Sequence, residues 1–204
     1  MPRVSRITSY RDPPLVPPYR LQRALRALRA GGVIAYPTEA VFGLGCEPMS
    51  QQAVRRLLAL KARSWTKGLI LVAAEPEQLA PYLAAVPAPL RQRALATWPG
   101  PVTWLWPASA RVPSWIRGRS RRVAVRVSAH PWVRALCLGY GGPLVSTSAN
   151  HAGALPARSA LATRARFPGA LSALLAGPLG GAERPSEIRD LANGRVLRPG
   201  APSK

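Results

Sequence analysis

Carboxylates are scarce in this chain. Its 204 residues include 8 Asp and Glu against 29 Lys and Arg, a formal net charge of +21, and no acidic residue occurs from Gln78 to Ala182. A field of that sign implies a polyanionic ligand, because it draws nucleotide or RNA phosphates in a salt-dependent way. A GC-rich genome explains the preference for Arg over Lys but not the missing Asp and Glu. Cysteine is equally sparse. Cys46 and Cys137 lie far apart without CxxC or Cys/His ligand spacing, which argues against a zinc knuckle and a disulfide framework and predicts two buried thiols. No apolar run is long enough to cross a bilayer, although 48% of the residues are hydrophobic. No charged n-region followed by an apolar stretch opens the chain, so a soluble, cytoplasmic protein is expected, with monomer as the default state. The GxxxxGK[ST] phosphate loop, the GxGxxG turn and HExxH are all missing, and the two histidines, His130 and His151, offer little for a metal site or a histidine-centred triad.

What is present has α/β rhythm. Residues 1–18 end in Asp12-Pro13-Pro14-Leu15-Val16-Pro17-Pro18 and read as a flexible proline-rich tail, leaving one domain over 19–200. Leu21, Leu25 and Leu28 mark a helical stripe closed by Gly31-Gly32, and Val33–Tyr36 reads as a buried strand that stops at Pro37 and passes into a loop. Val54, Leu57 and Leu58 mark a second helix ending near Lys61 and Arg63, followed by a strand over Gly68–Ala73. Further helices are expected around Pro87–Thr97, from Pro131 and over Arg158–Arg166. Strands are expected near Val102–Trp106, Arg122–Val127 and Leu144–Ser146, with a closing pair, Ile188–Leu191 and Arg195–Arg198, around Asn193-Gly194. The fold class is α/β with a mixed sheet.

Polar residues gather where these strands end, the usual ligand position in open α/β sheets. In Tyr36–Gly45 a strand halts at a proline, and Gly43 and Gly45 would let a ligand approach the backbone; a plain turn fits as well. Lys61, Arg63 and Lys67 sit between a helix and a buried strand, where convergent cations can hold a triphosphate without a Walker loop. Alone, they read better as a solvated helix end. Pro143–Asn150 runs a strand into Ser146, Thr147, Ser148 and Asn150, which can donate to phosphate or ribose oxygens or simply form a turn. Pro185–Asp190 and Val196–Gly200 are weak in isolation.

In their order and spacing, these segments closely resemble the YrdC/TsaC family of threonylcarbamoyl-AMP synthases, as do Trp98–Thr103 and Val123–Pro131. The resemblance covers nearly the whole chain after the tail. It implies a single-domain YrdC-like fold, a twisted mixed β-sheet flanked by helices with a concave basic surface. It also implies condensation of L-threonine, bicarbonate and ATP into threonylcarbamoyl-adenylate with release of pyrophosphate. The product would serve modification of the tRNA adenosine next to the anticodon, through direct tRNA contact or a transfer complex. Carried over by residue, Lys61, Arg63, Lys67 and Arg198 would contact ATP phosphates, Lys61 and Arg63 being the catalytic pair. Ser146, Ser148 and Asn150 would line the nucleotide pocket, while Thr38, Arg126 and Ser186 would sit near threonine and the adenylate. Magnesium would accompany the nucleotide, held by phosphates and water because carboxylates are few. Ala40 departs from the pattern: longer relatives often place a second threonine there to contact the amino acid.

Two other uses of the charge stay open. A non-catalytic protein could bind tRNA or rRNA by shape on the same concavity, and Ala40 could mark a domain that binds nucleotide without chemistry. The arginines Arg111, Arg117, Arg119, Arg121, Arg122 and Arg126 are expected to form a cluster, with Arg117–Arg122 as an RNA surface apart from the pocket.

Overall fold

A computed structural model describes residues 16–200. Residues 1–15, most of the expected tail, and 201–204 lie outside the described part.

Helix α1 (Pro18–Arg29) starts with proline at its first position, where no intrahelical N–H is needed, and buries Ala24, Leu25 and Leu28 on one side. Strands β1 (Ile34–Pro37) and β2 (Phe42–Cys46) follow as an antiparallel pair. The expected loop after Pro37 is therefore only four residues long before a fully buried strand begins. Helix α2 (Gln51–Lys61) is capped by Ser50, whose hydroxyl accepts from the Ala53 N–H at 3.2 Å. After it come β3 (Ile70–Ala73), α3 (Pro76–Leu79), α4 (Ala88–Leu95), β4 (Val102–Pro107), α5 (Ser114–Arg117), β5 (Arg122–Val127) and α6 (Pro131–Tyr140). The chain continues through β6 (Leu144–Ser148), α7 (Ala160–Arg166), β7 (Ala173–Leu174), β8 (Glu187–Asp190) and β9 (Val196–Arg198).

All nine described strands join one mixed sheet in the order β7-β1-β2-β6-β3-β5-β4-β8-β9. The sheet has parallel pairs at β1/β7, β3/β5 and β4/β8. Side chains alternate across it. On one face Ala35, Leu44, Leu71, Trp104, Val125 and Val145 pack with Val54 and Leu57 of α2 and Ile116 of α5. On the other, Ile34, Tyr36, Val72 and Leu144 pack under Leu25 and Leu28 of α1 and Val133 and Leu136 of α6. That second cover stops partway along the strands, and what lies beyond it is the site. Both cysteines are buried and unpaired, and desolvation pushes each thiol up to about 12, so neither is a thiolate at neutral pH. Among the described residues no helix is long and apolar enough to cross a membrane.

Candidate active site

Where α1 and α6 end, the same strands carry polar side chains into a cavity of about 500 Å³. Along β6, Leu144 is covered while Ser146 and Ser148, two and four residues on, line the cavity. From β1 the change runs from Ile34 and Tyr36 to Thr38. β5 alternates Val123, Val125 and Val127 into the opposite core and sends Ala124 and Arg126 into the cavity.

The three cations around the end of α2 do not all converge: Arg63 and Lys67 meet at the cavity and Lys61 does not. Ala62 adopts a left-handed conformation (φ 49°) as the helix ends, which turns the chain between Lys61 and Arg63. Lys61, 3% exposed, therefore points beneath the cavity floor. Its ammonium donates to the carbonyls of Ser148 (2.5 Å) and Asn150 (2.9 Å) and to Asn150 Oδ1 (3.2 Å). Three donors meet three acceptors, so Lys61 has no hydrogen left for a phosphate in this arrangement. Burial, with the Arg63 charge adding to it, pushes its pKa down to about 8. Arg63 and Lys67 do line the cavity. Arg63 Nη2 donates to the Gly68 carbonyl at 3.0 Å, leaving the rest of its fork for a ligand.

Asn150 likewise stands behind the wall. Its Oδ1 accepts from Ser148 Oγ at 2.6 Å, and its Nδ2 donates to the carbonyls of His151 (3.0 Å) and Ala154 (2.7 Å). Lys61 and Asn150 together hold the loop that follows β6. Ser146 sits opposite Gly45 on β2 and Ile70 on β3, at the centre of the sheet. Gly45 serves a different purpose from the one expected of it. A Cβ on Gly45 would lie 2.7 Å from Tyr36 Cε1 and from the Val145 carbonyl, so its hydrogen makes room for the Tyr36 ring rather than a ligand. Gly43 lines the cavity.

A buried ion pair forms the next wall. Arg126, 8% exposed, donates from Nη2 to Glu39 Oε2 at 2.6 Å, and Ser128 Oγ donates to Glu39 Oε1 at 2.6 Å. Burial opposes charge on Glu39, but the Arg126 guanidinium and the Ser128 hydroxyl outweigh it and hold the carboxyl below its ordinary range. His130, behind Glu39, is kept below its usual range mainly by burial. Thr38 lines the cavity while its hydroxyl donates to the Val41 carbonyl at 2.7 Å.

The far wall comes from β4, β8 and β9. Ser186 Oγ shares a 2.8 Å hydrogen bond with Thr103 Oγ1, and Arg198 Nη2 donates to the Ser186 carbonyl at 2.7 Å. Desolvation and then the charges of Arg126 and Arg63 pull the Arg198 pKa down, so the three guanidiniums feel one another around the cavity. Arginine stays protonated at neutral pH, and that mutual repulsion is a standing attraction for an anion.

The expected separate arginine cluster is divided by the fold. Arg117, Arg122 and Arg126 line the cavity, with Arg122 bound to Asp190, whereas Arg111, Arg119 and Arg121 are exposed and do not. Composition marked these arginines but could not divide them, because the split follows strand parity on β5 and the turn at Gly118. Glu39 and Arg184 also line the cavity and were not singled out in the sequence; Glu39 stood next to the proline-threonine pair that was. Glu39 is the sole carboxylate among the lining residues, both its oxygens are engaged, and no group of three His, Cys, Asp or Glu side chains gathers among the described residues. The lining offers no free carboxylate to fit a metal.

Fold and cavity together define an α/β protein with a cationic, hydroxyl-lined pocket on one face of a mixed sheet. Residues 26–200 match the Sua5/YciO/YrdC family model, described as "Telomere recombination", and the chain belongs to that family. It is 54% identical over 186 residues to a threonylcarbamoyl-AMP synthase of Halorhodospira halophila, covering 91% of this chain and 97% of the relative. To the synthase of that name from Pseudomonas aeruginosa PAO1 it is 52% identical over 185 residues, covering 91% and 100%. Among solved structures, P. abyssi Sua5 complexed with L-threonine superposes with a TM-score of 0.83 at 32% identity, over 89% of this chain and 54% of that longer one. E. coli YciO, at 23% identity and a TM-score of 0.75 over 90% of each chain, shares the fold.

Proposed function

We propose that the protein is a threonylcarbamoyl-AMP synthase, joining L-threonine, bicarbonate and ATP into threonylcarbamoyl-adenylate and pyrophosphate. The observation that carries this reading is the meeting of Arg63, Arg126 and Arg198 with Ser146 and Ser148 in one cavity whose single carboxylate is already neutralised. The synthase relatives, matched over nearly their full lengths, support it.

Threonine's amine adds to bicarbonate with loss of water to give a carbamate. A carbamate oxygen attacks the α-phosphorus of ATP, and the bond from that phosphorus to the bridging oxygen breaks to release pyrophosphate. No covalent nucleophile is needed; the barrier falls through positioning and neutralisation of phosphate charge. Arg63, Lys67 and Arg198 take the phosphate oxygens, the Ser146 hydroxyl donates to the nucleotide, and Ser148 Oγ, whose hydrogen goes to Asn150 Oδ1, offers the nucleotide an acceptor. Arg126, its orientation fixed by Glu39, accepts the threonine carboxylate beside Thr38 and Ser186. Lys61 acts as a positioning residue that braces Ser148 from below. Magnesium travels with the phosphates, and tRNA is the eventual recipient of the product, with the cytoplasm as the place of work.

The test is pyrophosphate release from ATP with threonine and bicarbonate varied separately. Turnover that requires both is expected; equal turnover with either omitted overturns the reading. Binding RNA alone would account for the charge but not for a pocket that gathers hydroxyls among its cations.

A further inference from the structure

A second cavity, of about 510 Å³, lies on the other side of the Ala62–Ser64 segment from the first, and Arg63 lines both. Its walls include Trp65, Trp115, Leu58 and Arg55, and no carboxylate is among them. The two tryptophans differ. Trp115 is anchored by a 3.1 Å hydrogen bond from its indole nitrogen to the Pro48 carbonyl, whereas Trp65 is 46% exposed. Among the described residues no ring or guanidinium stacks on Trp65 and its indole N–H has no acceptor, in contrast to the bonded indoles of Trp98, Trp104 and Trp106.

The backbone that carries Trp65 is nevertheless firmly bonded. The short 3-10 turn Trp65–Lys67 is capped by Ser64 Oγ, which accepts the Thr66 N–H, and closes with the Gly68 N–H donating to the Trp65 carbonyl at 3.0 Å. The Arg119 N–H donates to the Thr66 carbonyl at 3.2 Å, so the exposed Arg119 stands beside the turn. A half-exposed, unstacked indole on a bonded turn, sharing its cavity with Leu58, Trp115, Arg55 and Arg63 and with no carboxylate, matches a nucleobase with its phosphates.

We propose that this second cavity takes an unpaired base of a single-stranded RNA, stacked on Trp65, with Arg55 and Arg119 holding the adjoining phosphates. Arg55 lines this cavity and Arg119 lies outside it, so the charge extends past one base, as an oligonucleotide needs and a free mononucleotide does not. The proposal stands apart from the synthase reading, since RNA binding is measured without turnover.

The test compares Trp65→Ala and Trp65→Phe by fluorescence polarisation, using a labelled mixed-sequence RNA 12-mer and the same strand in a duplex. Trp65→Ala should weaken single-strand binding about ten-fold or more, with Trp65→Phe retaining most of the affinity. Its salt slope should stay unchanged because no charge is lost, whereas Arg119→Gln should flatten the slope by about 0.7. Threonine-dependent pyrophosphate release should be preserved in Trp65→Ala. Wild-type RNA affinity in Trp65→Ala, an equal loss for duplex and single strand, or no RNA binding by the unaltered protein would each overturn the proposal. So would a raised KM for ATP with RNA affinity intact, which would make Trp65 a wall of the nucleotide pocket.

Discussion

The sheet face under α1 and α6 and its continuation in the cavity are one surface built by the same strands, yet they follow opposite rules. In the covered half, Ile34, Tyr36, Val72 and Leu144 meet helix side chains and are buried. In the bare half, Thr38, Ser146, Ser148 and Arg126 occupy the same parity of β1, β6 and β5, or continue it, with no helix above them. One half contributes stability through area removed from water. The other forgoes that stability and holds three repelling guanidiniums where a ligand can reach them. A change from apolar to polar at unchanged parity along a strand therefore marks where a fold gives up core to make a site.

The comparison is sharpened most by Leu28→Ala. Leu28 is fully buried in the covered half, so the change should cost about 2–5 kcal/mol of stability, measured by urea denaturation, while turnover per folded molecule stays near normal. Arg63→Ala should do the reverse. Loss of a charged hydrogen bond to phosphate is worth about 1.5–3 kcal/mol, a fall of at least ten-fold in threonine-dependent pyrophosphate release, with the urea midpoint little changed. Unaltered turnover in that variant would break the contrast. Gly45→Ala attacks the boundary itself: its Cβ would overlap Tyr36 and the Val145 carbonyl, so a cost of about 1–3 kcal/mol is expected, together with weaker ATP binding as β2 shifts against Ser146.

The smallest effect is a slope. The Glu39 carboxyl is held below its ordinary value of 4.5 in the folded protein, so the stability it contributes is fully present above about pH 4.5 and is lost as pH falls through the folded pKa. Glu39→Gln should lower the melting temperature at pH 7, by leaving Arg126 unpaired, and make the decline between pH 5 and 3 shallower. Parallel melting curves for the two proteins over that range would show that the pair contributes nothing.

Much of this organisation could be read from the chain. β5 announced itself through alternating valines, α1 and α2 through their leucine spacing, and the closing β8–β9 pair through Asn193-Gly194. β2 did not: Phe-Gly-Leu-Gly-Cys lacks β-branched residues, and its glycines resemble loop punctuation. β7 is two residues long and leaves no pattern. At the site, Ser146 and Ser148 stood out as polar residues where a strand ends, although a plain turn fitted them as well, whereas Arg126, inside β5, and Arg198 entered only through the family resemblance. The divergence of Lys61 from Arg63 was not. It depends on a left-handed Ala62, and alanine carries no signal for that conformation.

The bonds that close the cavity also set when it forms. Glu39 reaches Arg126 across 87 positions, Lys61 reaches Ser148 across 87, and Thr103 reaches Ser186 across 83. Each contact must overcome the closure entropy of a long loop before it returns any energy. The pocket is thus a late product of folding, assembled after the helices and local strand pairs exist. A nucleotide that binds these groups has nothing to grip on the incomplete chain, so it cannot hasten folding. It acts instead on the finished protein, slowing its unfolding and making its lifetime a function of substrate supply.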